Sequence, residues 1–471
     1  MKFFVTGATG FIGQALVLRL LRDGHEVKAL VRSADRARSL LGADVALCTR
    51  HDGSMGESLS DSDVIINLAG KPLSRDRWDN RTRSENRSSR GDLTQEIVDL
   101  IPEDGKERVL LSASAVGVYG NRGDEKLSEE APAGSGFLAE LCSDWEAAAF
   151  AAEKKGVRVA CLRIGVVLDR GGGALAQMLL PFRMGAGGPI GSGKQFVPWI
   201  HRRDLVELFV EAATNPEYIG AVNATAPQPV PFAKFAKSLG TSLRRPAVIP
   251  VPGFMLKLIF GDAAQVLLEG QNAVPTKALQ FGFTFEFEAL SEAFDDITQN
   301  QGVSITPFND DLPESSYLQK RAPRYALKTR TVIPAPLKDV FSFFSQAENL
   351  GILTPPSMQF NITRKSDEMK AGVIIEYRLK LGIIPLFWRT RIERFDIDDR
   401  FVDTQEKGPY LSWWHEHRFE EQDGHTIMTD TVLYSVPMGG LANTLVVEDQ
   451  LKEVFSYRTS MMRLRFNAKP S

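Results

Sequence analysis

The sequence predicts two folds in one chain: a doubly wound α/β domain built on a parallel sheet, followed by a smaller α+β domain. Three observations carry that prediction. The chain opens on a short apolar strand, a glycine-rich turn and an amphipathic helix, residues 2–22. Apolar strands then alternate with helical stretches as far as about residue 298, the rhythm of a parallel sheet covered on both faces. Beyond it the pattern changes to a helix, a run of long strands and one long closing helix. A length of 471 residues accommodates this, since domains usually take roughly 100 to 200 residues each.

The first element sets the chemistry. Residues 2–5 are apolar, and Thr6-Gly7-Ala8-Thr9-Gly10-Phe11-Ile12-Gly13 follows at once, leading into a helix with Leu16, Leu20 and Leu21 on one side. Gly7 permits the tight turn, Gly10 lets backbone approach a pyrophosphate, and Gly13 lets the helix pack on the strand. The helix N-terminus then offers oriented N–H donors to phosphate, so a dinucleotide site is predicted. The second strand, Glu26 to Val31, ends in Arg32, where an NAD site usually places an acid for the ribose 2′-hydroxyl. A guanidinium suits a 2′-phosphate instead, which favours NADP(H). Val64 to Gly70 reads as a buried strand ending in a small-residue loop, and residues 109–112 and 157–163 as the next strands, with helices near 89–101 and 137–155.

Composition bounds the partners. Fifty-six basic against fifty-nine acidic residues, a formal charge of −3, leave no chain-wide footprint for nucleic acid. No run reaches the roughly 18 apolar residues of a membrane span, and the first residues read as a working strand rather than a leader. Cys48, Cys142 and Cys161 share no metal or disulfide spacing, which fits buried thiols in a reducing, cytoplasmic setting.

Several further blocks extend the opening pattern: residues 67–70, Ser112-Ala113-Ser114-Ala115-Val116-Gly117-Val118-Tyr119-Gly120, Asp144-Trp145-Glu146, residues 163–168, residues 191–201, and the tail from Leu267 to Phe283. Together they resemble the extended short-chain dehydrogenase/reductases, with their Rossmann-type fold, and within them the "epimerase family" branch. That branch includes proteins labelled as nucleoside-diphosphate-sugar epimerases and as cell-division-inhibitor-like proteins. The resemblance covers residues 1–298, of which about 245–298 are the family's C-terminal tail. It implies cofactor contacts at Gly7, Thr9, Gly10, Phe11, Ile12 and Gly13, at Arg32, at Leu68 and Ala69, at Glu85 and Arg90, and at Val166. It also implies a small-molecule substrate of carbonyl or sugar type, or alternatively a non-catalytic NADP-binding regulator, in cell division by the branch's label.

The catalytic pattern departs from that superfamily. Active members use Tyr-x-x-x-Lys, the lysine lowering the tyrosine pKa for general acid/base work. In the matching stretch, Leu141 or Cys142 stands at the tyrosine and Trp145 or Glu146 at the lysine. Ser112 and Ser114, on one strand face, and Tyr119 remain nearby, so Ser114 and Tyr119 are the catalytic candidates, with structural hydroxyls as the other reading. Gln195 and His201 lie where extended reductases border the substrate, although a histidine beside a helix start is commonly a structural hydrogen-bonder; Asp204 is placed to cap the helix 205–213.

Residues 299–325 are polar, proline-containing and aperiodic, and read as a linker. From Tyr325 the order strand, helix, strands and final helix, opening with residues 331–341, resembles the START-like superfamily of polyketide cyclases and coenzyme-Q-binding proteins over about 326–467. The resemblance implies a helix-grip fold around an apolar cavity for a lipid-like ligand. Alternation puts Leu411, Trp413, His415, His417 and Phe419 on one strand face, so Trp413, His415 and His417 are candidate ligand contacts if that face points inward. No cysteine or carboxylate shares that face, so no metal is expected. A stripe of Leu451, Val454, Phe455, Arg458, Met461 and Met462 on the last helix suits an adaptable apolar ligand and equally fills a core.

Overall fold

The computed structural model describes the chain except residues 51–52, 74–77, 300–301, 367, 382–383, 438, 444–446, 468 and 471. It divides into two compact units, one of residues 1–34 and 45–299, the other of residues 35–44 and 300–471.

The first unit is organised by seven parallel strands in the order Gly220–Ala224, Arg158–Ile164, Val109–Ala115, Val64–Asn67, Lys2–Thr6, Glu26–Val31 and Ala46–Thr49. The central strands are short apolar runs because both of their faces are covered: Phe3, Phe4, Val5, Ile65, Ile66, Leu110 and Leu111 are all buried. Burying each such side chain contributes about 1.5–3 kcal/mol. The sheet grows outward from Lys2–Thr6 in both directions, and the order reverses between that strand and Val64–Asn67. Ligands of open α/β sheets bind at such a switch point, beyond the carboxyl ends of the strands. The Gly7 turn and the Leu68–Ala69 loop leave those two ends. Phe232, Phe235, Leu290, Phe294 and Trp199 build a separate core towards the end of this unit.

The second unit is an antiparallel sheet of eight strands in the order Val303–Pro307, Tyr325–Ile333, His425–Ser435, Ser412–Gln422, Arg400–Lys407, Ile384–Asp396, Ile374–Leu381 and Asn361–Arg364. Lys469–Pro470 also pairs with Tyr325–Ile333. The 19-residue helix Glu448–Phe466 buries Leu451, Phe455, Arg458, Met461 and Met462 of the expected stripe, with Val454 half-buried. Leu451 and Phe455 pack with Trp413, Val432 and Tyr434 of the sheet, consistent with a helix-grip architecture.

Two expectations are corrected. The stretch read as linker contains an edge strand, Val303–Pro307, whose Val303 and Ile305 pack against the core, and a short helix, Ser316–Lys320, anchored by buried Leu318. Two apolar residues in alternation were too few to register as a strand; pairing with Tyr325–Ile333 supplies the rest. Leu411, assigned to the inward face, precedes its strand and is 57% exposed.

Candidate functional site

The glycine turn is built by close backbone approach. Gly7 has φ +67°, and a Cβ there would stand 2.7 Å from the carbonyl of Leu68 and 2.9 Å from the nitrogen of Ala69. A Cβ on Gly13 would meet the Gly7 oxygen at 2.3 Å. Gly10 donates its N–H to Gly7 O at 2.9 Å and caps the helix Phe11–Arg22, while Gln14 Nε2 ties down Thr9 O at 3.0 Å. Among the described residues no acceptor meets the N–H groups of Phe11, Ile12 and Gly13, the orphan donors of a helix start. Gly10 is exposed and Thr9, Phe11 and Ile12 half-buried, so this end of the helix faces outward. The Phe11 ring fills the space that side chains on Gly172 and Gly173 would take.

The neighbouring loop is held from below. Thr6 Oγ1 donates to Asn67 Oδ1 at 2.6 Å and accepts the Ala69 N–H at 3.2 Å, and Asn67 Nδ2 donates to Thr94 Oγ1 at 2.8 Å. Arg90 is turned inward, with Nη2 donating to Lys71 O at 2.9 Å and its guanidinium over the Trp145 ring. Burial lowers its pKa. It therefore braces residues 70–71 instead of reaching outward. Glu85 is ion-paired with Lys71 and Arg81, whose hydrogen bonds lower its pKa. Val166 begins the short strand after Gly165 and packs on the Trp199 core. Arg32 is exposed at the end of its strand, with no hydrogen-bond or ion-pair partner among the described residues.

Behind this cradle lies a buried polar network. Ser114 Oγ donates to Glu146 Oε1 at 2.6 Å, and Arg163 grips the same carboxylate with Nε at 2.9 Å and Nη2 at 2.8 Å. Arg163 Nη1 donates to the Tyr119 hydroxyl at 3.0 Å, which donates in turn to Asn223 Oδ1 at 2.7 Å. Of the two positions left open at the missing lysine, Glu146 is the one that meets Ser114, while Trp145 donates to Thr94. At the missing tyrosine, Cys142 packs against Tyr119 and Val116, and Leu141 packs with Trp78 and Phe137. Burial, helped by Glu146, pushes the Cys142 thiol up to about 11. Tyr119 is 0% exposed and burial raises its pKa, against the pull of Arg163. Its hydroxyl is a core hydrogen-bonder between Arg163 and Asn223, while the Ser114 hydroxyl donates to the Glu146 carboxylate. Glu146 and Arg163 escaped sequence reasoning because 17 residues separate them and only the sheet register brings them together.

Gln195 and His201, expected near the substrate, both make hydrogen bonds within the fold. Gln195 Nε2 donates to Ile190 O and Leu267 O, tying two loops. His201 is 1% exposed, and its Nδ1 accepts the Arg203 N–H as cap of the helix Arg202–Thr214. The cap expected of Asp204 thus belongs to His201, because the helix starts three residues early. Asp204 instead accepts N–H groups of Glu286 and Phe287, and burial raises its pKa to about 6.

In the second unit Trp413, His415 and His417 are all buried. The expectation that no carboxylate joins the histidines fails, because it considered one strand only. Asp403 and Asp430 arrive from the strands on either side. Burial alone would lower the His415 pKa, and these two carboxylates raise it; the imidazoles in turn hold Asp403 well below the usual carboxylate range. Trp413 packs edge-on to Trp388, 5.2 Å between ring centroids, and lies beside Tyr410 at 4.7 Å.

Comparison with known proteins agrees with both halves. Residues 3–224 match the NAD dependent epimerase/dehydratase family, residues 251–297 a domain of unknown function, and residues 333–457 the polyketide cyclase/dehydrase and lipid transport family. A chloroplastic SDR39U1 homolog of the epimerase family from Arabidopsis thaliana is 43% identical over 304 residues, 64% of this chain and 87% of the relative. Epimerase family protein SDR39U1 of Mus musculus is 38% identical over 308 residues, 63% of this chain and 99% of the relative. The crystal structure of human SDR39U1 with NADPH is similar with TM-score 0.56 and 34% identity, covering 63% of this chain and 99% of that one. The cofactor bound to that relative is the one that Arg32 favours here. A parallel seven-stranded sheet opening on a glycine turn, the family's tail and an appended helix-grip domain thus have one description: the chain belongs to the epimerase family of the SDR39U1 type, extended by a polyketide cyclase-type domain.

Proposed function

We propose that the first unit binds NADP(H) and works as a reductase- or epimerase-like module on a carbonyl- or sugar-type small molecule, while the second holds an apolar, lipid-like ligand. The observation that carries the cofactor reading is the outward-facing helix start at Gly10 to Gly13, with exposed Arg32 closing the neighbouring strand. In this reading the pyrophosphate lies on the free N–H groups of Phe11, Ile12 and Gly13, the Leu68–Ala69 backbone flanks the cofactor, and Arg32 meets the 2′-phosphate. Bound NADPH would supply the hydride. Ser114 holds a substrate oxygen and relays a proton between it and Glu146, toward that oxygen when the hydride is delivered and away from it in the reverse direction, while Arg163 keeps Glu146 in place. The apolar-ligand reading rests on the Met-bearing final helix and on the Trp388, Tyr410 and Trp413 cluster. The buried thiols suit a reducing, cytoplasmic setting.

A second reading rests on Cys142 and Glu146, which stand at the spacing of the superfamily's tyrosine and lysine. Without that relay the first unit would be an NADP-binding regulator. Equilibrium titration with NADPH and NADH tests the cofactor: the wild type prefers NADPH by about tenfold to a hundredfold, the worth of one charge-assisted contact, and Arg32→Asp loses the preference. Unchanged preference in Arg32→Asp would refute the assignment. A chain that binds NADPH, reduces nothing in a broad carbonyl panel and turns over no cofactor with cell extract is the regulator.

A further inference from the structure

The second unit holds a side-chain constellation that neither reading uses. On three adjacent strands the register sets Asp403 opposite His415 and Asp430 opposite His417, all on one sheet face. Asp403 Oδ2 is 3.3 Å from His415 Nδ1 and 3.4 Å from His417 Nε2, and the three donor atoms lie within 4.8 Å of one another. Such separations are long for charge-assisted hydrogen bonds, which run about 2.7–2.9 Å. They do match a coordination sphere, since donors bound at about 2.0–2.1 Å to a tetrahedral ion stand roughly 3.4 Å apart.

The other ring nitrogens turn to Asp430. His415 Nε2 hydrogen-bonds Asp430 Oδ1 at 2.9 Å; His417 Nδ1 is 2.8 Å from the same oxygen, yet it is out of line for a hydrogen bond and so is buried without a partner. Asp430 is itself fixed, by Arg458 Nη1 at 3.0 Å and by the Thr329 hydroxyl at 3.3 Å. One nitrogen toward the ion and the other toward an outer carboxylate is how metal-binding imidazoles are oriented.

We propose that Asp403, His415 and His417 form a divalent metal site of the Zn2+ class, with Asp430 as the carboxylate behind the imidazoles. Two imidazoles and one carboxylate suit zinc, iron(II) or cobalt(II), whereas magnesium and calcium call for oxygen ligands. Arg458 offsets Asp430, so the cation meets one uncompensated carboxylate and keeps a coordination position for water or an anionic ligand oxygen. Phe401 against His417 and Phe455 beside His415 wall the site with apolar surface.

The test uses the full chain, stripped with a chelator and titrated with Zn2+ against a chromophoric competitor. A single tight equivalent is expected, abolished by His417→Asn and by Asp403→Asn, weakened roughly tenfold to a hundredfold by Asp430→Asn, and unaffected by His425→Gln on the surface. Circular dichroism checks that each variant folds. Where a ligand variant does not fold, Co2+ added to the wild type decides, through visible bands of nitrogen-ligated four- or five-coordinate cobalt. Absence of those bands, no tight equivalent, or binding that survives both ligand substitutions would overturn the site.

Discussion

Glu146 is where this chain parts from catalysis by tyrosine and lysine. A lysine at that place would lend positive charge to a phenol; here a carboxylate accepts from Ser114 and is itself bound by two nitrogens of Arg163. Glu146 is buried and the Arg163 side chain is only 11% exposed, so each depends on the other. Removing one partner of such a pair leaves an uncompensated buried charge and costs about 3–5 kcal/mol. Arg163→Met should therefore lower the denaturant-derived stability of the first unit by about that much, while Ser114→Ala, which removes a single hydrogen bond, should cost about 1–2 kcal/mol. Equal costs for the two substitutions would mean that the carboxylate finds another partner and that Arg163 does not hold it.

At the scale of elements, the start of the helix Arg202–Thr214 carries an inverted titration. Asp204 sits in its first turn and holds the backbone of residues 286–287, with burial raising its pKa from 3.8 to about 6. A carboxyl with a raised folded pKa favours the fold while protonated. Its contribution is complete below about pH 4 and lost as the pH rises through about 6, a change on the order of 2–3 kcal/mol. Urea midpoints of the wild type should thus fall between pH 4.5 and about 7 relative to those of Asp204→Asn, and parallel pH profiles would contradict the assignment. The contrast with the glycine turn shows what the sequence could disclose. Gly7, Gly10 and Gly13, the strand rhythm and Arg32 are local patterns, fixed by steric rules that act over a few residues. Glu146 with Arg163 and Asp403 beside His415 are pairings across strands or between distant segments, and each depends on a register that spacing along one strand does not contain. The edge strand Val303–Pro307 was missed for a related reason: its partner, not its own composition, makes it a strand.

For the whole molecule, no described helix is long and apolar enough to cross a membrane, and two kinds of order coexist. The first unit is a parallel sheet whose order reverses beside the glycine turn; the second is an antiparallel sheet gripped by one helix. All three cysteines, Cys48, Cys142 and Cys161, lie in the first unit and are buried thiols, Cys142 raised to about 11 and Cys161 well above its ordinary value, both chiefly by burial. A thiolate is the reactive form, so alkylating reagents should be nearly inert toward the native chain. That distribution turns the cysteines into a built-in clock. In pulsed labelling, each alkylated thiol records an opening of the nucleotide-binding half alone, with the antiparallel half silent, and NADPH should slow the labelling in proportion to its affinity.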